Sequence, residues 1–205
     1  MAGSTTYKRE LGNRILSLAT KLFHERGVRS VKMDDIAKAL GISKRTLYEI
    51  YADKEVLLLE VVQKERGAYF SELDAFIKEQ QPNAMEVILE FYRSQMKRVA
   101  NINPIYFTEQ IRYEKLRIYL DKCAKQSYDN RMKFFQEGIE QGYFRENVDY
   151  DIVTRVGEAS FNYILQAELY KKYSLDHIIN NVLFLFIRGF CTKKGIEELK
   201  KHQML

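Results

Sequence analysis

Proline stands at two positions only in this chain, Pro82 and Pro104. Proline removes a backbone donor and breaks helices, so long stretches of the chain contain nothing that interrupts a helix. The ten glycines are scattered singly and punctuate the pattern without dominating it. Between these breaks the apolar residues recur at helical spacing, first as Leu11, Ile15, Leu18, Ala19 and Leu22, with Phe23 beside them. An all-α fold is predicted. At 205 residues the chain is long enough for a proper core in one large or two small domains.

Helix starts and stops can be read in turn. The first helix should close at "ERG", with Gly27 in the left-handed cap position. A short second helix, "MDDIAKAL", carries Asp34 and Asp35 in its first turn, where the helix dipole favours them, and stops at Gly41. Ser43 then offers an N-cap oxygen to a third helix, "KRTLYEIY", and Asp53 does the same for a long fourth helix from about Lys54 to Gln80. Beyond Pro82 a helix carries Ile88, Phe91, Tyr92, Gln95, Met96 and Val99. After Pro104 come "IYFTEQIRYEKL" and one long segment from about Arg117 to Gln141, closed by Gly142. Asp149 and Ser174 cap the last two long helices, "YDIVTRVGEASFNYILQAELYKK" and "LDHIINNVLFLFIRGFCTKK", before a charged tail, "EELKKHQML".

The second and third helices, joined by "GIS", have the layout of a helix-turn-helix. Projected at about 100° per residue, the third helix groups Leu47, Ile50 and Tyr51 on one face, which should be buried. Arg45 and Glu49 lie opposite, Thr46 and Tyr48 on the flanks, and Lys44 at the N-terminal tip. Donors first and packing residues last is the order required of a recognition helix, whose N-terminal residues meet the base edges in the major groove. The charge agrees. Residues 1–54 hold eleven Lys and Arg against six Asp and Glu, whereas the remainder is balanced, so the whole net charge of +5 sits around this unit.

Other chemistry finds little footing. Cys123 and Cys191 are the only cysteines, too few for a disulfide scaffold and outside any metal-ligand cluster; they read as thiols of a reducing compartment, or else as a redox sensor. The three histidines, His24, His177 and His202, are far apart and sit in no catalytic or metal motif. No phosphate-cradling glycine loop is present. The N-terminus shows no secretory signal, and the most apolar run, "VLFLFI", is too short to span a bilayer. The expectation is a cytoplasmic protein that is not an enzyme, with no cofactor, metal or membrane partner.

The stretch "ILSLATKLFHERGVRSVKMDDIAKALGISKRTLYEIYADKEVLLLEV", and above all "DDIAKALGISKRTLYEIYADKEVL" within it, resembles the tetracycline-repressor (TetR) family of one-component bacterial regulators. "GYFRENVD" at 142–149 looks like that family's loop before its last two helices. The resemblance implies an N-terminal three-helix DNA-binding domain, 1–54, followed by a larger helical effector-binding and dimerisation domain, 55–205. It implies a homodimer on a palindromic double-stranded DNA operator, a small-molecule effector, and a four-helix interface from the last two helices of each subunit. Carried over by position, Lys44, Thr46 and Tyr48 look like DNA contacts and Lys54 like a phosphate contact at a helix N-terminus. Lys32 stands where the family often has a capping Thr or Ser; lysine cannot cap, but reaches a phosphate as a point charge. Ile50 stands where many members carry His, so one usual backbone contact is missing.

Two residues keep two readings each. Arg45 either bonds a guanine through O6 and N7 or pairs with Glu49 on a solvated surface; Glu49 either accepts from a cytosine N4 or steers Arg45. Lys8 and Arg9 form a basic arm on the DNA or a frayed terminus. For an apolar or aromatic effector the candidate lining is Phe91, Tyr92, Gln95, Met96, Tyr106, Phe107, Gln110, Phe134, Phe161, Asn162 and Gln166, each with plain core packing as its rival. "IINNVLFLFIRGF" is too apolar for an exposed helix, and Phe184, Ile187, Arg188 and Phe190 are the candidate dimer contacts, again against intrachain core. A rival for the whole chain is an interaction module whose helix-turn-helix docks on protein. A polyanion partner would give steep salt dependence and a protein partner a shallow one.

Overall fold

The computed structural model describes residues 2–99 and 101–201 as helices joined by short loops. No strand occurs among the described residues, and a lone β-bridge joins Phe144 to Cys191. The chain divides into two compact units, Met1–Phe70 with Asn101–Lys122 and Ser71–Ala100 with Cys123–Leu205. The unit that holds the helix-turn-helix is thus larger than residues 1–54, because a later segment folds back into it.

The first unit opens with α1 (Ala2–Arg26), α2 (Met33–Leu40) and α3 (Lys44–Tyr48). It continues into α4 (Lys54–Gln80), whose later part belongs to the second unit, and takes in α6 (Ile105–Gln110) and the start of α7 (Glu114–Gln126). Ile15, Ala19 and Phe23 of α1 pack with Ile36 of α2, Leu47 of α3, Leu57, Leu58 and Val61 of α4, Tyr106 of α6 and Leu116 of α7. These are the apolar stripes that the spacing predicts. Gly27 ends α1 at φ 77 and Gly41 ends α2 at φ 66, both in the left-handed region that only glycine enters freely. Gly27 has a second constraint: a Cβ there would lie 2.2 Å from Ile105 Cγ2.

Segment 101–122 is tied to α1 and α4 by polar groups. Asn103 N–H donates to the His24 carbonyl at 2.8 Å, and Arg29 N–H donates to Glu109 Oε2 at 2.8 Å. Glu65 of α4 uses both carboxylate oxygens, one 2.5 Å from His24 Nε2 and the other accepting from the Tyr106 hydroxyl at 2.9 Å. Lys115 donates through its backbone to Glu55 at 2.8 Å and through Nζ to Asp53 at 3.1 Å.

The second unit contains the end of α4, then α5 (Ala84–Val99), the end of α7, α8 (Tyr128–Glu140), α9 (Tyr150–Gln166), a 3-10 turn (Leu169–Lys171), α10 (Leu175–Phe190) and α11 (Lys193–Lys201). Met85, Leu89, Phe144, Ile187, Phe190 and Leu199 are fully or almost fully buried in its core, and Phe135 stacks on Tyr150 with ring centroids 4.4 Å apart.

Four boundaries differ from the sequence reading. The third helix ends at Tyr48 rather than Tyr51. The long segment 117–141 is two helices broken at Ser127, whose hydroxyl turns back on the carbonyls of Cys123 and Ala124 and competes with the helix's own bonds. The ninth helix stops at Gln166, short of "AELYKK", where Glu168 adopts φ 52. The charged tail begins as a helix: Thr192 Oγ1 accepts from Gly195 N–H at 3.2 Å, and Leu199 is fully buried.

Candidate nucleic-acid interface

The turn between α2 and α3 is built from backbone bonds and one hydroxyl. Gly41 N–H donates to the Lys38 carbonyl at 3.2 Å and Ile42 N–H to the Ala37 carbonyl at 3.0 Å, which closes α2 on its own last turn. Ser43 then caps α3, its Oγ accepting from Thr46 N–H at 3.0 Å and lying 2.8 Å from the Thr46 hydroxyl. Asp53 caps α4 the same way, accepting from Val56 N–H at 2.7 Å. That bond, helped by Lys115, holds its carboxyl below the ordinary aspartate range.

The α3 projection holds. Leu47 is fully buried, Tyr51 nearly so, and Ile50 is partly buried against the same core. Burial, with Glu60 close by, pushes the Tyr51 phenol well above its ordinary range, as expected of a ring locked under the recognition helix. Fully burying one such side chain stabilises the fold by about 1.5–3 kcal/mol, so the orientation of this five-residue helix is set by its packing and not by its own length.

On the opposite face the side chains are exposed, and they arrive in pairs. Lys44 Nζ forms an ion pair with Asp34 of α2, and that hydrogen bond raises the lysine's affinity for its proton. Arg45 Nε donates to Glu49 Oε1 at 3.0 Å with the arginine side chain 89% exposed. Thr46 is engaged with the Ser43 cap, and Tyr48 is exposed beside them. Lys32 precedes α2 with an exposed side chain that makes no cap hydrogen bond; its N–H donates to Asp35 Oδ2 at 2.9 Å, which is the reverse half of a capping box. Lys8 and Arg9 are exposed on α1, which is helical from Ala2. The structure thus gathers exposed Lys44, Arg45, Tyr48 and Glu49, with half-buried Thr46 among them, on one short surface.

Lys54 differs. Its Nζ donates to the carbonyls of Val28 at 2.9 Å and Val31 at 3.0 Å, with that of Arg29 at 3.5 Å. It faces the α1–α2 loop, where burial lowers its pKa. Nothing local in the sequence announces this, nor the pairing of Lys44 with Asp34; both depend on where folding places a distant loop or helix.

The other sequence candidates scatter. Tyr106 is fully buried in the first unit's core, with Phe107 packed against it and Gln110 half-buried. In the second unit Phe91, Tyr92 and Gln95 of α5 and Phe134 of α8 are half-buried, while Asn162 and Gln166 of α9 are exposed. The side chains of Met96 and Phe161 lie outside the described residues. A surface groove of about 360 Å³ in the second unit is lined by Phe76, Gln80, Pro82, Glu86, Leu89, Glu90 and Arg93, none of them a sequence candidate.

Two of the expected dimer contacts are corrected. Ile187 is fully buried and Phe190 is 4% exposed, both in the core with Phe144 and Tyr150, so neither is available to a partner. Phe184 is half-buried and Arg188 exposed, and among the described side chains of α10 the large apolar one that stands exposed is Leu185. Cys123 and Cys191 are free, and burial pushes the Cys191 thiol up to about 11, which disfavours its thiolate at neutral pH. Among the described residues no group of three His, Cys, Asp or Glu could hold a metal ion, and no helix is long and apolar enough to cross a membrane.

A capped helix pair with its cations on the exposed first turn of the second helix defines a helix-turn-helix DNA-binding regulator of transcription. Residues 15–61 match the family model described as bacterial regulatory proteins, tetR family. That match takes in the later part of α1, the helix-turn-helix and the start of α4, and over this stretch the chain is similar to the family. It is 26% identical over 160 residues to the HTH-type transcriptional repressor KstR2 of Mycobacterium tuberculosis, covering 76% of this chain and 78% of that protein. Its fold is shared with a transcriptional regulator from Saccharomonospora viridis in complex with choline, at a TM-score of 0.73 and 22% identity over 90% of this chain and all of the other. It is shared also with RolR in complex with resorcinol, at a TM-score of 0.62 and 20% identity over 94% of this chain and 92% of that one.

Proposed function

We propose that the protein is a ligand-responsive repressor that binds a palindromic operator as a homodimer and is released by a small, largely apolar effector. The observation that carries the reading is the α3 surface, where Lys44 and Arg45 are presented by a helix whose other face is locked into the core. Arg45, held by Glu49, is aimed for a guanine; Lys44 and Lys32 supply charge to phosphates, and Thr46 and Tyr48 flank them. In a dimer two such helices stand about 34–36 Å apart and meet successive major grooves.

The dimer face we assign to α9 and α10. Ile152, Val156 and Tyr163 are 57%, 45% and 63% exposed and share one side of α9, and Leu185 is 72% exposed on α10. An apolar stripe of this kind marks a surface meant to be covered. The effector we assign to the second unit, where Phe91, Tyr92, Gln95 and Phe134 offer aromatic walls and one half-buried amide. Choline and resorcinol, bound by the two regulators of like fold, support a small-molecule ligand. They differ too much in chemistry to identify it. Binding would lower DNA affinity only by the ligand's preference for the released state over the bound one. A cytoplasmic location goes with this role.

Selection from random duplex DNA with the purified protein tests the reading. Enrichment of an inverted repeat with half-sites about one helical turn apart is expected. A pool that stays random at moderate salt would refute sequence-specific binding.

A further inference from the structure

We propose that Lys54 is a positioning residue: its ammonium clamps the α1–α2 loop to the start of α4 and so sets where the helix-turn-helix stands, instead of binding a DNA phosphate. The inference rests on the DNA-binding reading but differs from the role that the position of this lysine implies.

The loop between Arg26 and Met33 has carbonyls that no helix satisfies. Val28 and Val31 are buried, at 0% and 2% exposure, so their side chains draw the loop backbone inward and away from full hydration. Buried carbonyls need a donor. Lys54 Nζ supplies one to Val28 at 2.9 Å and one to Val31 at 3.0 Å, with the Arg29 carbonyl at the edge of reach at 3.5 Å. An ammonium has three protons, and these three oxygens form the cradle that takes them. Bonds from a charged donor are shorter and stronger than those between neutral groups.

The placement makes the clamp consequential. Lys54 is the first residue of α4, fixed by the Asp53 cap just before it. The loop it holds runs directly into Lys32 and α2, and α2 carries α3 through the Gly41 turn. Burial, first, lowers the pKa of Lys54, with the Glu109 carboxylate opposing and the Arg29 cation adding to that effect. A phosphate would have to draw the ammonium out of a cradle that already meets its hydrogen-bonding capacity.

The test compares wild type, Lys54→Met and Lys54→Arg in the full-length protein, with Lys44→Met as the reference for a cation on the exposed face. Binding is measured to the selected duplex and to a random-sequence duplex across a potassium chloride series, at a temperature where every variant is folded. A clamp predicts that Lys54→Met and Lys54→Arg keep the wild-type salt slope while the preference for the selected duplex falls roughly tenfold, the size of one lost base contact. Loss of about 1.8 from the slope in Lys54→Met, about 0.9 for each subunit, with preference unchanged, would establish a phosphate contact and overturn the proposal. Equal weakening on both duplexes, with slope and preference unchanged, would make the role purely structural and overturn it too. Hydrogen exchange in the free protein reads the clamp without DNA: the amides of residues 27–33 should exchange faster in both variants. Unchanged exchange would refute the clamp even if wild type bound no DNA, an outcome that by itself counts against the DNA-binding reading alone.

Discussion

Two neighbouring residues of α10, Leu185 and Ile187, should fail in opposite ways when truncated to alanine. They are two positions apart, so they point to nearly opposite sides of the helix. Ile187 is fully buried in its own chain, whereas Leu185 is 72% exposed. Removing the Ile187 side chain leaves a cavity beside Phe144 and Phe190, and large-to-small changes at such sites cost about 2–5 kcal/mol of stability. Leu185→Ala leaves no cavity within the chain. Fully burying a leucine side chain is worth about 1.5–3 kcal/mol; with most of that side chain still in water, roughly 1–2 kcal/mol per subunit is left to be gained at an interface. A symmetric dimer uses the patch twice. The change should therefore weaken dimerisation by about 2–4 kcal/mol, a factor of about 30 to 900 in the dissociation constant.

Sedimentation velocity over a concentration series measures that constant, and urea denaturation at matched protein concentration measures stability, because the apparent stability of a dimer rises with its concentration. Leu185→Ala should dissociate at concentrations where wild type is dimeric, while Ile187→Ala should lower the urea midpoint. A Leu185→Ala protein with the wild-type dissociation constant would show that α10 meets no partner through this face, and the assignment of the interface would fall with it.

Smaller perturbations test the DNA-binding unit. Gly27→Ala and Gly41→Ala both place a side chain at positive φ, which costs about 1–2 kcal/mol. Only Gly27→Ala also drives a Cβ against Ile105, adding about 1–3 kcal/mol of overpacking, whereas nothing lies within 4 Å of a Cβ at Gly41. The first should therefore lower the denaturation midpoint more than the second, and equal losses would refute the close approach of α6 to the α1–α2 turn. Asp53→Ala removes the α4 cap and should cost about 0.5–2 kcal/mol at neutral pH. The folded protein holds this carboxyl below its ordinary pKa, so its contribution is present above the unfolded value of about 3.9 and is lost as pH falls through the folded one. The gap between wild type and variant should close on acidification; a constant gap down to low pH would assign the loss to something other than the ionised cap.

What the sequence made legible follows from the distance over which each feature is decided. The caps at Ser43, Asp53, Asp149 and Ser174 bond N–H groups two or three residues ahead, and the left-handed glycines 27, 41 and 142 answer to their own backbone. Residue type and spacing are enough for such features, so the helix-turn-helix and the exposed face of its second helix are legible in the sequence. The Arg45–Glu49 pair spans one helical turn and was readable for the same reason. Lys54 with Val28 and Val31, and Glu65 with Tyr106, join residues 23 to 41 apart, and no periodicity reports which polar groups meet across that distance.

The faces of α10 were illegible for a different reason. Hydrophobic periodicity identifies a buried face by contrast with a polar one, and "VLFLFI" offers no contrast. Leucine and isoleucine two positions apart look alike in sequence, yet the packing of Phe135, Phe144 and Tyr150 takes Ile187 inward and leaves Leu185 in water. A run that is apolar on successive positions has two surfaces to bury, and at Leu185 its own chain leaves one uncovered. The lack of contrast that hid the core face is therefore itself the sequence sign of a partner. It points to α10 as the helix of the proposed interface, and exposure then singles out Leu185 on it.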